Sequence, residues 1–248
     1  MTRLGAGDRT RPELSVEVTV TPPPERPVPA FGRFVAESVT PGARVLNIGG
    51  GCNASGRHPR IRQRAGWLVA VDPSGRIHDD SEADERHRLT LEEYAATHDE
   101  QFVVAFAVFV LEHVAQPAEF VQAAAKLLRP GGVLLALTPN LRHYFGLATW
   151  TASRLGFEEP LLRSVRDEGA VARYHVPTEY RLNSIRTVSR HLHSAGFAGV
   201  EFRMWDLPRM YEPYLPGPLR RFAGAWNHMA YRTRRPNLMG HLTFKATR

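Results

Sequence analysis

The stretch that most constrains this chain is "RVLNIGGGCN", residues 44–53. Its apolar run reads as a strand buried on both faces, and three glycines follow without a break. Glycines at the end of a strand let the backbone approach something that tolerates no side chain. In α/β proteins that something is a ligand held at the carboxyl ends of the strands. A second apolar run, "WLVAVD", ends at Asp72, 23 residues after Gly49. A carboxylate at that place can accept hydrogen bonds from two ribose hydroxyls.

The remaining pattern supports an α/β chain. "AFGRFVAESV" places Phe31, Phe34, Val35 and Val39 at helical spacing ahead of the first run. A third run, "QFVVAFAVFVLEHV", precedes "AQPAEFVQAAAKLLRPGG". There Pro117 suits a first helical position, Phe120, Val121, Ala124, Leu127 and Leu128 form one apolar stripe, and Gly131 and Gly132 are expected to stop the helix. "VLLALTPN" is the next strand. Strands alternating with helices predict a mostly parallel sheet with helices on both faces. Residues 1–28 read as an extension, partly flexible. "ELSVEVTV" there alternates as a short strand, and the prolines of "TPPPERPVP" are expected to prevent a helix or a central strand. Residues 29–248 read as one domain with helical insertions at about 141–180 and 207–237, which are expected to form a lid. Between them lie a helix in "NSIRTVSRHLHSAGF", capped at Asn183 or Ser184 and closed by Gly196, and a strand in "GVEFRMWD"; "LMGHLTFKATR" is the last strand.

Two ligand classes fit the glycines, since "GGGCNA" also satisfies the dinucleotide pattern G-x-G-x-x-A. A dinucleotide needs a helix directly on the third glycine, with its amino end against the pyrophosphate. "NASGRHPRIRQRAG" specifies that helix poorly, having Gly56, Pro59 and hardly any apolar stripe. A nucleoside ligand without phosphates does not need it. Nor do Lys126 and Lys245, the two lysines, have a tyrosine four residues before them, as a nicotinamide-linked Tyr-x-x-x-Lys enzyme would require.

The ordered set "RVLNIGGGCN", "VAVDPS" at 69–74, "FVLEHVAQPAEFVQAAAKLLRPGGVLLALTPN" at 109–140, "HYFGLA" at 143–148 and "VPTEYRLNSIRTVSRHLHSAGF" at 176–197 resembles the class I S-adenosylmethionine-dependent methyltransferases. More narrowly it resembles their bacterial small-molecule branch. The resemblance spans roughly residues 30–205 and implies a Rossmann-like, seven-stranded mixed sheet whose last strand is antiparallel. It further implies S-adenosyl-L-methionine as cofactor. Asn47, Gly49, Gly50, Gly51 and Asn53 would lie against the methionine tail, Asp72 and Pro73 at the ribose, Thr90 and Leu91 at the adenine, and Ala107 and Val108 near the ammonium. The family usually has an acidic residue where Asn47 stands, so weaker cofactor binding is expected. A catalytically silent member of the fold, binding without turnover, is the second reading that Asn47 leaves open.

Methyl transfer from a sulfonium is an in-line displacement that needs alignment, dryness and, for some acceptors, a base. Cys52, the lone cysteine, sits in the glycine turn and not where a pyrimidine-methylating nucleophile would be. One cysteine also rules out a Cys/His zinc pattern, and no convincing carboxylate cluster is present, so no metal is expected. The base candidates are His113, after the third run, and His143 and His175 in the first insertion. Tyr144, Tyr174, Tyr180 and Arg181 are candidates to line the acceptor pocket. A small-molecule acceptor methylated on oxygen or nitrogen is expected, in sugar, polysaccharide or natural-product biosynthesis.

The net charge of +7 comes mostly from arginines dispersed along the chain, so no nucleic-acid partner is expected. No membrane partner is expected either, since the longest apolar runs, such as 103–111, are far too short to span a bilayer. A lone cysteine and an amino-terminal stretch without an apolar signal core place the chain in the cytoplasm as an expectation. Oligomeric state is open, with a homodimer as the form considered.

Overall fold

A computed structural model describes residues 13–24, 27–52, 59–79, 82–99, 101–155, 178–207, 215 and 217–248. The strands are β1 (Ser15–Val20), β2 (Ala43–Ile48), β3 (Ala65–Val71), β4 (Glu85–His87), β5 (Phe102–Val108), β6 (Leu128–Pro139), β7 (Gly199–Trp205) and β8 (His241–Thr247). The helices are α1 (Pro27–Ser38), α2 (Pro59–Arg64), α3 (Leu91–Thr97), α4 (Pro117–Leu127), α5 (Tyr144–Arg154), α6 (Ile185–Ser194) and α7 (Gly217–Thr233).

The strands form one sheet in the order β1-β7-β8-β6-β5-β2-β3-β4. All neighbouring pairs are parallel except those of β8, which runs antiparallel to both β6 and β7. The sheet therefore has eight strands where seven are expected. The additional one is β1, which pairs parallel with β7 at the sheet's edge through the register Ser15↔Gly199 to Val20↔Met204. An edge position is the one compatible with the prolines that follow.

Sequence order reverses between β2 and β5. From β2 the chain builds outward through β3 and β4, and from β5 it builds the other way through β6. A doubly wound sheet opens its ligand crevice at the carboxyl ends of the strands flanking that reversal. The glycines follow β2 directly, so they line it.

Alternation along the strands gives each face its own core. Leu46, Ile48, Ala105 and Ala107 pack with α3, α4 and α6, through residues such as Tyr94, Phe120 and Leu192. Val45, Val104 and Phe106 pack on the other face with Phe31, Phe34 and Val35 of α1 and Ile61 of α2. β2 and β5 are thus covered on both sides, which explains their continuous apolar runs.

Two boundaries differ from expectation. α1 starts at Pro27, so the prolines of "RPVP" enter its first turn, where the missing N–H groups would have no helical partner anyway. α4 ends at Leu127 and the chain turns straight into β6, so Gly131 and Gly132 lie within that strand's irregular start and do not end the helix. Gly131 has φ +75°, and a Cβ on Gly132 would lie 2.9 Å from the carbonyl oxygen of Arg129. No described helix is long and apolar enough to cross a membrane.

Candidate active site

The crevice is built from the ends of β2, β3 and β5. Gly49 leaves β2 with φ +80°, and its N–H donates to Val71 O at 2.8 Å. A Cβ there would fall 2.3 Å from Val110 Cγ2, so only glycine lets the β2 turn pass beneath the loop after β5. Residues Gly50–Cys52 then form a single 3₁₀ turn, and the next described helix is the six-residue α2. Among the described residues no helix stands on the third glycine, which is what a pyrophosphate would need.

Gly51 and Asp72 are locked together. The Gly51 N–H donates to Asp72 Oδ2 at 3.0 Å, and the Ser74 N–H donates to Oδ1 at 2.7 Å. A side chain on Gly51 would strike both Asp72 and Ser74, at 2.7 and 2.5 Å. The glycines therefore first make room for the protein's own Val110, Asp72 and Ser74, where a ligand alone is expected to need the space. A carboxylate has about four lone-pair sites. With one amide on each oxygen, half-buried Asp72 keeps an acceptor site on each for a pair of vicinal hydroxyls. That fits the ribose of a nucleoside cofactor.

Asn47, the penultimate residue of β2, is fully buried on the α1 side of the sheet. Its Nδ2 would lie 3.1 Å from a Cβ on Gly50, beside Ala70 and Ile77. The amide thus sits under the glycine turn and supports it. Ala107 is buried at the β2–β5 seam, paired with Ile48, and Val108 ends β5 half-buried. Pro73 is exposed beside Asp72. Thr90 caps α3, taking the Glu93 N–H at 3.2 Å while its own N–H meets Glu93 Oε2 at 2.8 Å. The Leu91 side chain belongs to the core and is not presented at the surface. Asn53, Tyr174 and His175 lie outside the described residues.

Beyond β5, Phe109 takes φ +54° and the chain closes into a short turn, Leu111–His113. Glu112 inside it is buried and accepts from Thr138 Oγ1 at 3.0 Å; Asn183 Nδ2 in turn donates to that hydroxyl at 2.6 Å. Burial holds the Glu112 carboxyl above its usual range, against the lowering pull of His113 and of its hydrogen bonds. The Glu112 carbonyl accepts the N–H groups of Glu179 and Tyr180, at 2.7 and 3.0 Å. Arg181 reaches Ala115 O at 3.1 Å and Glu179 at 3.0 Å, while Tyr180, with φ +51° and buried, has its hydroxyl 3.2 Å from Thr149 Oγ1. Tyr180 and Arg181 therefore clip the chain returning from the first insertion onto the β5 loop.

The base candidates part ways here. His143 is buried, its Nδ1 accepts the Phe145 N–H at 3.3 Å, and its Nε2 lies 3.4 Å from Asp206 Oδ2. Its imidazole thus lies buried between the Phe145 amide and the Asp206 carboxylate. Sequence reasoning did not find its partner Asp206, a fully buried carboxylate at the end of β7. Around them Tyr144 and Trp226 pack on the imidazole, and Tyr231 OH donates to Asp206 O at 2.6 Å. Desolvation raises that phenol to about 12. His113, half-buried on the β5 loop, is the one described candidate beside the crevice.

A model of the methyltransferase domain family matches residues 25–201. The chain belongs to that family. It is 32% identical over 107 residues to a ubiquinone biosynthesis O-methyltransferase of Aromatoleum aromaticum, a match covering 40% of this chain and 45% of the relative. The chain spans less than half the length of the first curated relatives it matches. Its fold is shared by S-adenosylmethionine-dependent methyltransferases from Archaeoglobus fulgidus, with TM-score 0.58 at 15% identity over 89% of this chain and 93% of that one. A second, from Thermotoga maritima, gives TM-score 0.56 at 15% identity over 88% and 89%. The family model is that of a methyltransferase domain, and both of these fold neighbours bear the name S-adenosylmethionine-dependent methyltransferase.

Proposed function

We propose that this protein transfers the methyl group of S-adenosylmethionine to an oxygen of a small molecule. The observation that carries the reading is the Asp72 carboxylate, fixed at the carboxyl end of β3 by the Gly51 and Ser74 amides with an acceptor site left on each oxygen. Oxygen is favoured over nitrogen because curated relatives bear the name O-methyltransferase. No described residue selects a sugar, a polysaccharide or a natural product. The silent-fold alternative rested on Asn47, whose buried place under the turn gives the amide a packing role of its own. The lone cysteine is consistent with a reducing, cytoplasmic setting.

When bound, S-adenosylmethionine supplies an electrophilic methyl on a sulfonium. Asp72 would hold the ribose hydroxyls, its carboxylate fixed by the Gly51 and Ser74 amides. His113 would accept the proton of the acceptor hydroxyl as that oxygen is methylated. Glu112, anchored to Thr138 and to the chain at 179 and 180, positions the turn carrying His113.

Calorimetric titration with S-adenosylmethionine and S-adenosylhomocysteine, with NAD as control, tests the reading. Both nucleosides are expected to bind and NAD is not, and Asp72→Ala is expected to weaken binding by about a hundredfold or more, the cost of two lost hydrogen bonds to a charged group. Unchanged affinity in Asp72→Ala would remove the ribose assignment.

A further inference from the structure

The net charge has an address. Of the 32 Lys and Arg residues seven follow Glu212, and of the 25 Asp and Glu residues none does, so the chain up to Glu212 balances at 25 of each sign. The whole excess of +7 lies in the last 36 residues. Five of its seven charges, Arg220, Arg221, Arg232, Arg234 and Arg235, are exposed on α7 and the turn after it. The arginines are dispersed along the sequence, but the uncompensated ones are not.

Exposed apolar side chains share this place. On α7, Phe222, Trp226 and Met229 follow i, i+4, i+7 spacing and form one stripe, with Phe222 49% and Met229 42% exposed. On α5, Tyr144 and Leu147, with Leu155 just beyond the helix, share one face, and Leu147 and Leu155 are 47% and 64% exposed. The stripes meet where the Tyr144 ring lies 5.6 Å from Phe222 and 5.3 Å from Trp226. Arg221 and Arg232 flank the α7 stripe on its solvent side. Neither helix contains an acidic residue. α5 follows β6 and α7 precedes antiparallel β8, so both stand at the end of the sheet where the parallel strands finish and the crevice opens.

We propose that α5 and α7 form a surface that docks on an anionic phospholipid bilayer. Large apolar side chains among arginines, with no carboxylate between them, match a surface that offers both acyl chains and negative headgroups. A nucleic acid would answer the arginines alone. Since no described helix can cross a membrane, the protein lies on the bilayer, and the expectation of no membrane partner, drawn from run length, does not bear on such a mode. The proposal is independent of methyl transfer.

Sedimentation of the full chain with vesicles tests it, using phosphatidylcholine alone or mixed with phosphatidylglycerol. Binding is expected to the mixed vesicles only and to weaken as salt is raised. The pairs Phe222→Ser/Met229→Ser and Arg221→Gln/Arg232→Gln are each expected to lower it by at least about tenfold. The pair Arg64→Gln/Arg129→Gln, exposed at the amino ends of β3 and β6 on the opposite side of the sheet, is expected to leave it unchanged, and all variants to keep the parent's thermal midpoint and S-adenosylhomocysteine affinity. Absence of vesicle binding, binding indifferent to both test pairs, or capture of duplex DNA without capture of vesicles would each overturn the proposal.

Discussion

A single amide answers why this glycine turn is preceded by Asn47 and not by a carboxylate. The side chain is fully buried, beneath Gly50 and against Ala70 and Ile77. A neutral amide can be held there, whereas a carboxylate would have to shed its hydration. Asn47→Asp is expected to fold with its new carboxyl held by burial above the ordinary carboxylate range, leaving the variant less stable than the parent at pH 7. A raised acid pKa means that the unfolded chain ionises first as pH rises, so the penalty is small near pH 4 and full at neutral pH. Thermal unfolding of the cofactor-free variant at pH 5 and pH 8 checks this: the deficit against the parent must be larger at pH 8. Equal midpoints at pH 8 would mean that the site is reached by water or a cation.

At the scale of elements, the start of β8 carries a built-in pH dependence. His241 opens that strand opposite both Pro139 of β6 and Trp205 of β7. Its ring stacks on Trp205 at 4.1 Å and meets Phe109 edge-on, and His143, paired with Asp206, faces it. Burial, aided by the charge of His143, lowers its pKa to about 3. The unfolded chain protonates this histidine below about pH 6.5 while the folded one does not, so stability falls as pH drops from there toward 3. Two pH units within that window amount to about 3 kcal/mol. Glu112, raised by burial, acts the other way, losing stability as pH rises above the ordinary carboxylate range. His241→Phe keeps a ring over Trp205, and denaturant unfolding at pH 6.5 and 4.5 is expected to show a smaller loss than in the parent. An identical loss would place the dependence elsewhere.

These two residues also mark what could be read in advance. Long apolar strands such as β2, β5 and β6 announce themselves because burial on both faces demands an unbroken apolar run. Asp72 was legible for the same reason, standing at a strand end at a fixed distance from the glycines. β4 was not, because its three residues, Glu85–His87, are held by pairing with β3 and carry no periodicity. Asp206, Val110 and Ser74 were invisible too. Their meaning depends on which strands become neighbours, as when β7 and β6 flank β8 and bring Asp206 to His143. Tyr180 and Arg181 have pocket-like chemistry in sequence, and only the packing commits them to Thr149 and Ala115.

The whole molecule divides across its sheet. Asp72 ends β3 and His241 begins β8, four strand spacings apart, or about 19 Å. The residues proposed to hold the nucleoside therefore stand at β2, β3 and β5, while β7, β8, α5 and α7 carry the other half of the sheet. β1 lies outside both, at the far edge, with Val16 and Val18 exposed at 44% and 40%. Its contribution is one six-residue ladder on β7. Removing the first 21 residues is expected to lower the thermal midpoint by several degrees, since a few net backbone hydrogen bonds and little buried apolar surface are lost. It should leave S-adenosylhomocysteine affinity within about twofold, because no residue of β1 touches the β2–β5 crevice. It also uncovers the ladder edge of β7, an open invitation to pair with another chain, so light scattering on standing should rise. Loss of cofactor affinity in a truncated chain that still unfolds cooperatively would show that the far edge sets the shape of the crevice, and would overturn this division of the sheet.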